Sequence, residues 1–190
     1  MSTLADLDWP VRTERLLIRP ATPEDLETTW VFRQLPEVAR WMGGAPRTLE
    51  EYAQGYLEPK RLGDTLVYEH DGVVIGDLMV TVQDAWAQAE VADRAHGVEA
   101  EIGWVLHPEH GGRGLATEAV REVLRLCFAG LALHRVIALC FADNEPSWRL
   151  MERVGLRREA HNVRDSLHRD HGWLDGYLYA LLAEEWRERS

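Results

Sequence analysis

Three stretches of the chain bring together residue types that can do chemistry. His107–Val120 reads HPEHGGRGLATEAV, with Gly111, Gly112 and Gly114 just ahead of an apolar-periodic run. Glycines there strip the backbone of side chains, which suits a ligand held by main-chain amides. Glu99 and Glu101 in EAEIGWVL share a parity, so on a strand both carboxylates face one side, where one can take up a proton. Asn144-Glu145-Pro146-Ser147 puts an amide and a hydroxyl at a helix start. His107-x-x-His110 and His168-x-x-His171 have chelating spacing, but the first spans a proline turn and neither has an evident third ligand. Loop histidines are expected there, and no metal.

The elements around the glycine turn decide what it can hold. AEIGWVL reads as a strand. Beyond the turn, Ala116, Ala119, Val120, Val123, Leu124 and Cys127 recur at three-and-four spacing, with Glu118, Arg121, Glu122 and Arg125 between them, an amphipathic helix. Strand, glycine turn, helix is an order that leaves unpaired N–H groups at the helix start, an anion site best suited to phosphate. A Walker loop needs Lys and then Ser or Thr where Leu115-Ala116 stands, which removes that route to nucleotide hydrolysis. A dinucleotide fingerprint needs a third glycine where Thr117 stands. Asp143 could imitate its acid, so an NAD-binding oxidoreductase is the remote alternative.

Elsewhere LLIR (16–19) reads as a strand, followed by a helix with Thr22 as N-cap and Pro23 at its first position. A second helix is predicted in TLEEYAQGYL, capped by Thr48. TLVYEH and VVIGDLMVTV read as strands joined through Asp71-Gly72, the dipeptide of a primed hairpin turn. Gln83–Gly97 fits either a helix or an inserted loop. RVIALCF and YLYALLA read as two more strands. Asn144 is expected to cap a helix that ends before Gly155, with Leu150, Met151 and Val154 in the core. Trp30, Trp41, Trp104 and Trp173 are expected in core packing, with one or two walling a pocket.

Composition bounds the function. At 190 residues, 46% apolar and 28% charged, the chain is long enough for one domain with a full core. A formal charge of −11 disfavours nucleic acid and would suit a cationic partner. Nothing near the start reads as a signal peptide and no apolar run is long enough to span a membrane, so a cytoplasmic protein is expected. Cys127 and Cys140 lack paired spacing and fit a reduced compartment as core fillers.

HPEHGGRGLATEAV, followed by RVIALCFADNEPSWRLMERVGL, resembles the GNAT N-acyltransferases, specifically the RimJ/RimL-like branch, which includes enzymes acetylating protein N-termini. TERLLIRPATPEDL resembles that branch's opening strand and helix, and GWLDGYLYALLAEEW its closing strand, so the resemblance runs along nearly the whole chain. It implies an α+β GNAT fold over residues 1–190: a mostly antiparallel central sheet with a parallel, splayed pair of strands, flanked by helices. It implies acetyl-CoA as cosubstrate, with the pantetheine arm along Trp104, Val105 and Leu106 like an added strand. The pyrophosphate would lie on the amides of Gly111 to Ala116, within a turn of Gly111, Gly112, Arg113, Gly114, Leu115, Ala116 and Thr117. Asn144 and Ser147 would be further CoA contacts.

The chemistry the resemblance implies is direct attack of a primary amine, on a small molecule or a peptide N-terminus, on the thioester. Glu101, just before Ile-Gly, is the expected base, with Glu99 the other acid on its side. A backbone amide near Val105 or Leu106 is the expected oxyanion donor. Many members carry a tyrosine acid where Met151 stands, and a thioether cannot donate a proton. In the RimL-like branch a serine takes that place, which points to Ser147. Gly111 departs from the Gln or Arg that opens the family's turn pattern, whereas Gly114 and Ala116 match it. These two departures motivate the alternative of a non-catalytic acyl-CoA sensor. The chain is also compatible with a homodimer.

Overall fold

The computed structural model describes residues 3–189. In chain order its elements are β1 (Val11–Arg12), β2 (Leu17–Pro20), α1 (Leu26–Arg33), α2 (Pro36–Ala39), α3 (Leu49–Tyr56), α4 (Pro59–Gly63), β3 (Thr65–His70) and β4 (Val73–Gln83). There follow β5 (Glu99–Leu106), α5 (Leu115–Arg125), β6 (Arg135–Phe141), α6 (Glu145–Arg153), β7 (Arg157–His168), β8 (Gly172–Leu182) and α7 (Ala183–Arg187). Two compact units share this chain. One runs as far as Thr81 and includes Gly103–Val123; the other takes Val82–Ile102 and the chain from Leu124 onward.

In the first unit the strands are ordered β1, β2, β3, β4, followed by the second half of β5. β1, β2, β3 and β4 pair antiparallel in sequence, with Ile18 opposite Tyr68 and Val67 opposite Asp77. The hairpin between β3 and β4 turns on Asp71 (φ 53°) and Gly72 (φ 77°), both left-handed as a primed turn requires. Thr22 is extended, Pro23 opens a 3-10 turn into α1, and the Asp25 carboxylate accepts from the Thr22 amide at 2.8 Å. Thr48 caps α3 by accepting from the Glu51 amide at 3.1 Å. α1 and α3 pack Trp30 on Tyr52, ring centroids 5.3 Å apart, over a core of Ala21, Tyr52, Tyr56 and Val67.

In the second unit the order is the first half of β5, then β6, β8 and β7. β5 and β6 run parallel, from Glu99 opposite Arg135 to Glu101 opposite Ile137. β8 pairs antiparallel with both β6 and β7. The result is the expected class: a mixed sheet with one parallel pair, flanked by helices. A doubly wound parallel sheet, which an NAD-binding fold needs, is incompatible with these antiparallel pairings.

Several local expectations need correcting. β7 was not anticipated, because RREAHNVRDSLH has no apolar alternation; among its residues only His168 is buried. Gln83–Gly97 forms neither an α-helix nor a plain loop, but leaves β4 for a 3-10 run at Ala89–Ala95. α5 buries Leu115 and Thr117 rather than Ala116, and continues as a π-helical turn, Leu126–Gly130. Trp173 is 59% exposed and outside the core, since it sits beside Gly172 at the hairpin end of β8.

Candidate active site

The glycine turn is built in the first unit, where β5 delivers the chain into a 3-10 turn at Pro108–His110. The Gly111 amide donates to the Pro108 carbonyl at 2.9 Å, and a Cβ on Gly111 would lie 2.9 Å from that same oxygen. Gly111 is therefore a corner residue whose amide is already used by Pro108. Gly112 (φ 71°) and Gly114 (φ 78°) are left-handed, a conformation that side chains disfavour. Among the described residues no main-chain acceptor takes the amides of Gly112, Arg113 or Gly114. The Leu115 and Ala116 amides, in the first turn of α5, have no acceptor within the helix. Arg113 is exposed on the turn, and Thr117 closes its helical side from a buried position. His110 lies beside His107 and His70, with centroids 5.8 and 6.2 Å away. Burial, then the charges of His107, Arg113 and His70, hold its pKa below the ordinary histidine value.

Just upstream, the orientation of the strand is decided by two residues that no sequence pattern singled out. Tyr68 is fully buried, and its hydroxyl donates to the Val105 carbonyl at 2.6 Å. Burial, and then the charge of Asp77, push the phenol well above its usual range, so it stays a donor. It reaches Val105 across Gly76, where a Cβ would come well under 3.0 Å from both the phenol and that carbonyl. The His107 amide donates to Ile75 on β4 at 2.8 Å. With Val105 and His107 both directed to the β4 side, strand alternation turns the Leu106 amide and carbonyl to the opposite edge. Of the two expected oxyanion donors, Leu106 is the one turned to that edge. Trp104 is half-buried.

The proton-handling candidates lie in the second unit. Glu99 is spoken for: it accepts from Gln83 at 2.8 Å and pairs with Arg135 at 2.9 Å, and Arg135 reaches on to Glu159 at 2.6 Å. Among the described residues no hydrogen bond or ion pair engages the Glu101 carboxylate, which is half-buried on the same parity. Two acids equivalent in sequence are thus separated by their partners.

Ser147 sits in the first turn of α6, with its hydroxyl near the Cys140 thiol on β6. Burial raises the Cys140 thiol to about 11, with the polar Ser147 hydroxyl drawing it partly back; burial alone takes Cys127 to about 12. Both thiols are protonated at neutral pH and neither is a ready nucleophile. Asn144 holds the N-cap position, but through its main chain: its carbonyl accepts from the Ser147 and Trp148 amides at 3.1 and 3.3 Å. Its side chain makes no capping bond, contrary to expectation. Leu150 and Met151 are buried and Val154 half-buried; Met151 is a core residue, 1% exposed. Among the described residues no group of three histidine, cysteine, aspartate or glutamate side chains is arranged to hold a metal.

A mixed sheet with one parallel pair, a carboxylate on the strand of that pair, and a glycine turn opening the next helix define an acyltransferase of the GNAT type. The chain belongs to that family: the acetyltransferase (GNAT) domain matches residues 15–157. It is 32% identical over 177 residues to the uncharacterized N-acetyltransferase YnaD of Bacillus subtilis (strain 168), covering 93% of this chain and 98% of that protein. A GNAT-family acetyltransferase structure from Bacillus anthracis superimposes with a TM-score of 0.77 at 28% identity, covering 93% and 100% of the two chains. Mycobacterium smegmatis RimJ, solved in complex with CoA-disulfide, superimposes with a TM-score of 0.71 at 27% identity, covering 90% of this chain and 83% of that one. Its place among the relatives agrees with the RimJ/RimL-like branch, and the protein is an N-acetyltransferase acting on amines.

Proposed function

We propose that the protein transfers the acetyl group of acetyl-CoA to a primary amine, on a small molecule or a peptide N-terminus, in the cytoplasm. The observation that carries the choice of donor is the turn itself. Among the described residues the successive amides from Gly112 to Ala116 lack main-chain acceptors, and they are held by left-handed glycines at the start of α5, a geometry suited to a diphosphate. That a RimJ relative binds CoA-disulfide supports the same donor. The turn is main-chain throughout, which is why a departure at Gly111 does not remove it.

The roles follow from chemistry. The amine is mostly protonated at neutral pH, so Glu101 takes its proton before the N–C bond forms. The Leu106 amide donates to the oxygen that gains charge at the carbonyl carbon. As the C–S bond breaks, the Ser147 hydroxyl passes a proton to the leaving sulfur and takes in return the one that the attacking nitrogen must lose. Cys140 stays a thiol, so direct attack is favoured over an acyl-enzyme on that residue. Acetyl-CoA supplies the activated acetyl group; this chain supplies binding, orientation and proton transfer. Titration calorimetry with acetyl-CoA, CoA and NAD tests the donor. Saturable binding of acetyl-CoA and CoA without NAD is expected, and no CoA binding would overturn the assignment together with the roles built on it.

A further inference from the structure

We propose that Arg15 and Glu118 form a latch that positions the glycine turn for the diphosphate of the acyl donor; this rests on the acetyl-CoA reading above. The latch lies wholly within the first unit and joins the short loop between β1 and β2 to the start of α5. Arg15 Nη1 donates to the Arg113 carbonyl at 2.9 Å. A planar trans peptide sets that carbonyl opposite the next N–H, so holding the Arg113 oxygen on the Arg15 side turns the Gly114 amide the other way, off the protein surface. The guanidinium also flanks Gly114, with Nη2 3.6 Å from where a Cβ would stand. Two glycines in the turn leave it conformationally free, and this contact selects one arrangement.

The guanidinium is fixed in turn. Glu118 Oε2 accepts from Arg15 Nε at 2.7 Å and pairs with its Nη2 at 2.6 Å, so two guanidinium nitrogens close on one carboxylate oxygen. The same carboxylate accepts from the Arg15 amide at 2.8 Å and from Thr13 Oγ1 at 2.5 Å. Burial would raise its pKa, but these bonds hold it below the ordinary glutamate value. Charge gives the pairing a second effect. Glu118 lies in the first turn of α5, where a bare carboxylate would repel an arriving diphosphate. Paired with Arg15, it is neutralised and brings a cation behind the turn.

The test separates the turn from the rest of the donor site. Arg15→Met, Arg15→Lys and Glu118→Gln are compared with the wild type in CoA affinity and in turnover of S-acetylpantetheine, which has the same thioester arm but no diphosphate. Arg15→Met and Glu118→Gln are expected to weaken CoA binding by about ten- to a hundredfold. S-acetylpantetheine turnover should stay at the wild-type level. Arg15→Lys should fall between, since it keeps the charge but not the fork. Variants that bind CoA like the wild type overturn the latch and leave the acetyl-CoA reading standing. Variants that lose acetylpantetheine turnover as well also overturn it, because the pair would then hold the whole unit together. A wild-type protein that does not bind CoA overturns both.

Discussion

Removing one hydroxyl should show how much of the donor strand's orientation depends on Tyr68. In Tyr68→Phe the ring stays and the 2.6 Å bond to the Val105 carbonyl is lost, at a side chain that is 0% exposed. Leaving a buried carbonyl without its donor costs about 1–3 kcal/mol. For a chain of this size about 2 kcal/mol corresponds to a fall in Tm of about 4–8 °C. Gly76→Ala is harsher. Its Cβ meets the phenol carbon, the phenol oxygen and the Val105 carbonyl oxygen together, and the last belongs to the backbone and cannot rotate away. Overpacking adds about 1–3 kcal/mol to the lost hydrogen bond, so about 2–6 kcal/mol in all. Thermal melts of both variants, with KM for acetyl-CoA measured well below the melting range, read the two consequences separately. Tyr68→Phe should raise KM by loosening the turn of Leu106 toward its open edge. A Gly76→Ala protein that melts with the wild type would refute the packing logic, and a Tyr68→Phe protein with unchanged KM would refute the link from Tyr68 to the donor strand.

Glu101→Gln should lower kcat by about 10²–10⁴, whereas Glu99→Gln, whose carboxylate is tied to Arg135, should leave kcat close to wild type. Ser147→Ala should slow turnover less than Glu101→Gln, and both variants at wild-type rates would mean that water carries the protons. Asp77→Ala strands Arg33, which the carboxylate grips at 2.6 and 2.5 Å, and urea unfolding should show a loss of about 3–5 kcal/mol. Asp25 and Glu118 have pKa values held below normal in the folded chain, despite burial, by Arg19 and by Thr13 and Arg15 respectively. Their contribution is therefore complete above the unfolded values of about 4 and lost as pH falls through the lower folded ones. Tm should drop steeply below about pH 4, and the melting curves of Asp25→Asn and wild type should converge there.

What could be read in the sequence was local and periodic. The amphipathic run after Gly114 requires a helix, and Asp71-Gly72 between two apolar runs requires a primed hairpin; both are present. β7 escaped because its twelve residues are polar on both faces, and what makes them a strand is the antiparallel ladder with β8, a partner that composition does not announce. Parity placed Glu99 and Glu101 on one side but could not rank them. The family resemblance favours Glu101, and the physical ground for separating the two, the Gln83 and Arg135 contacts of Glu99, comes from residues that do not stand next to the pair in sequence. The same holds for the supporting residues of the turn. Arg15 lies 98 residues from Arg113 and 103 from Glu118, so no spacing rule connects them. In the sequence Tyr68 is only a strand residue, because the feature that matters, a gap above Gly76, exists only once β4 is packed on its neighbours.

Binding a diphosphate poses a problem for a chain of net charge −11, since the field of the whole molecule opposes an anion. A local solution must come from groups whose polarity does not depend on surface charge. Main-chain amides at a helix start have that property, and five of them run from Gly112 to Ala116. Their alignment needs residues without Cβ atoms at Gly112 and Gly114 and needs the acid in the first turn of α5, Glu118, neutralised; Arg15 provides the second. Gly111 is then the corner of the turn, its amide spent on Pro108 and its side-chain position closed by the same oxygen. A residue that departs from the family's pattern can in this way leave the chemistry intact: the corner it makes is steric, and the charge the ligand meets is carried by the peptides that follow it.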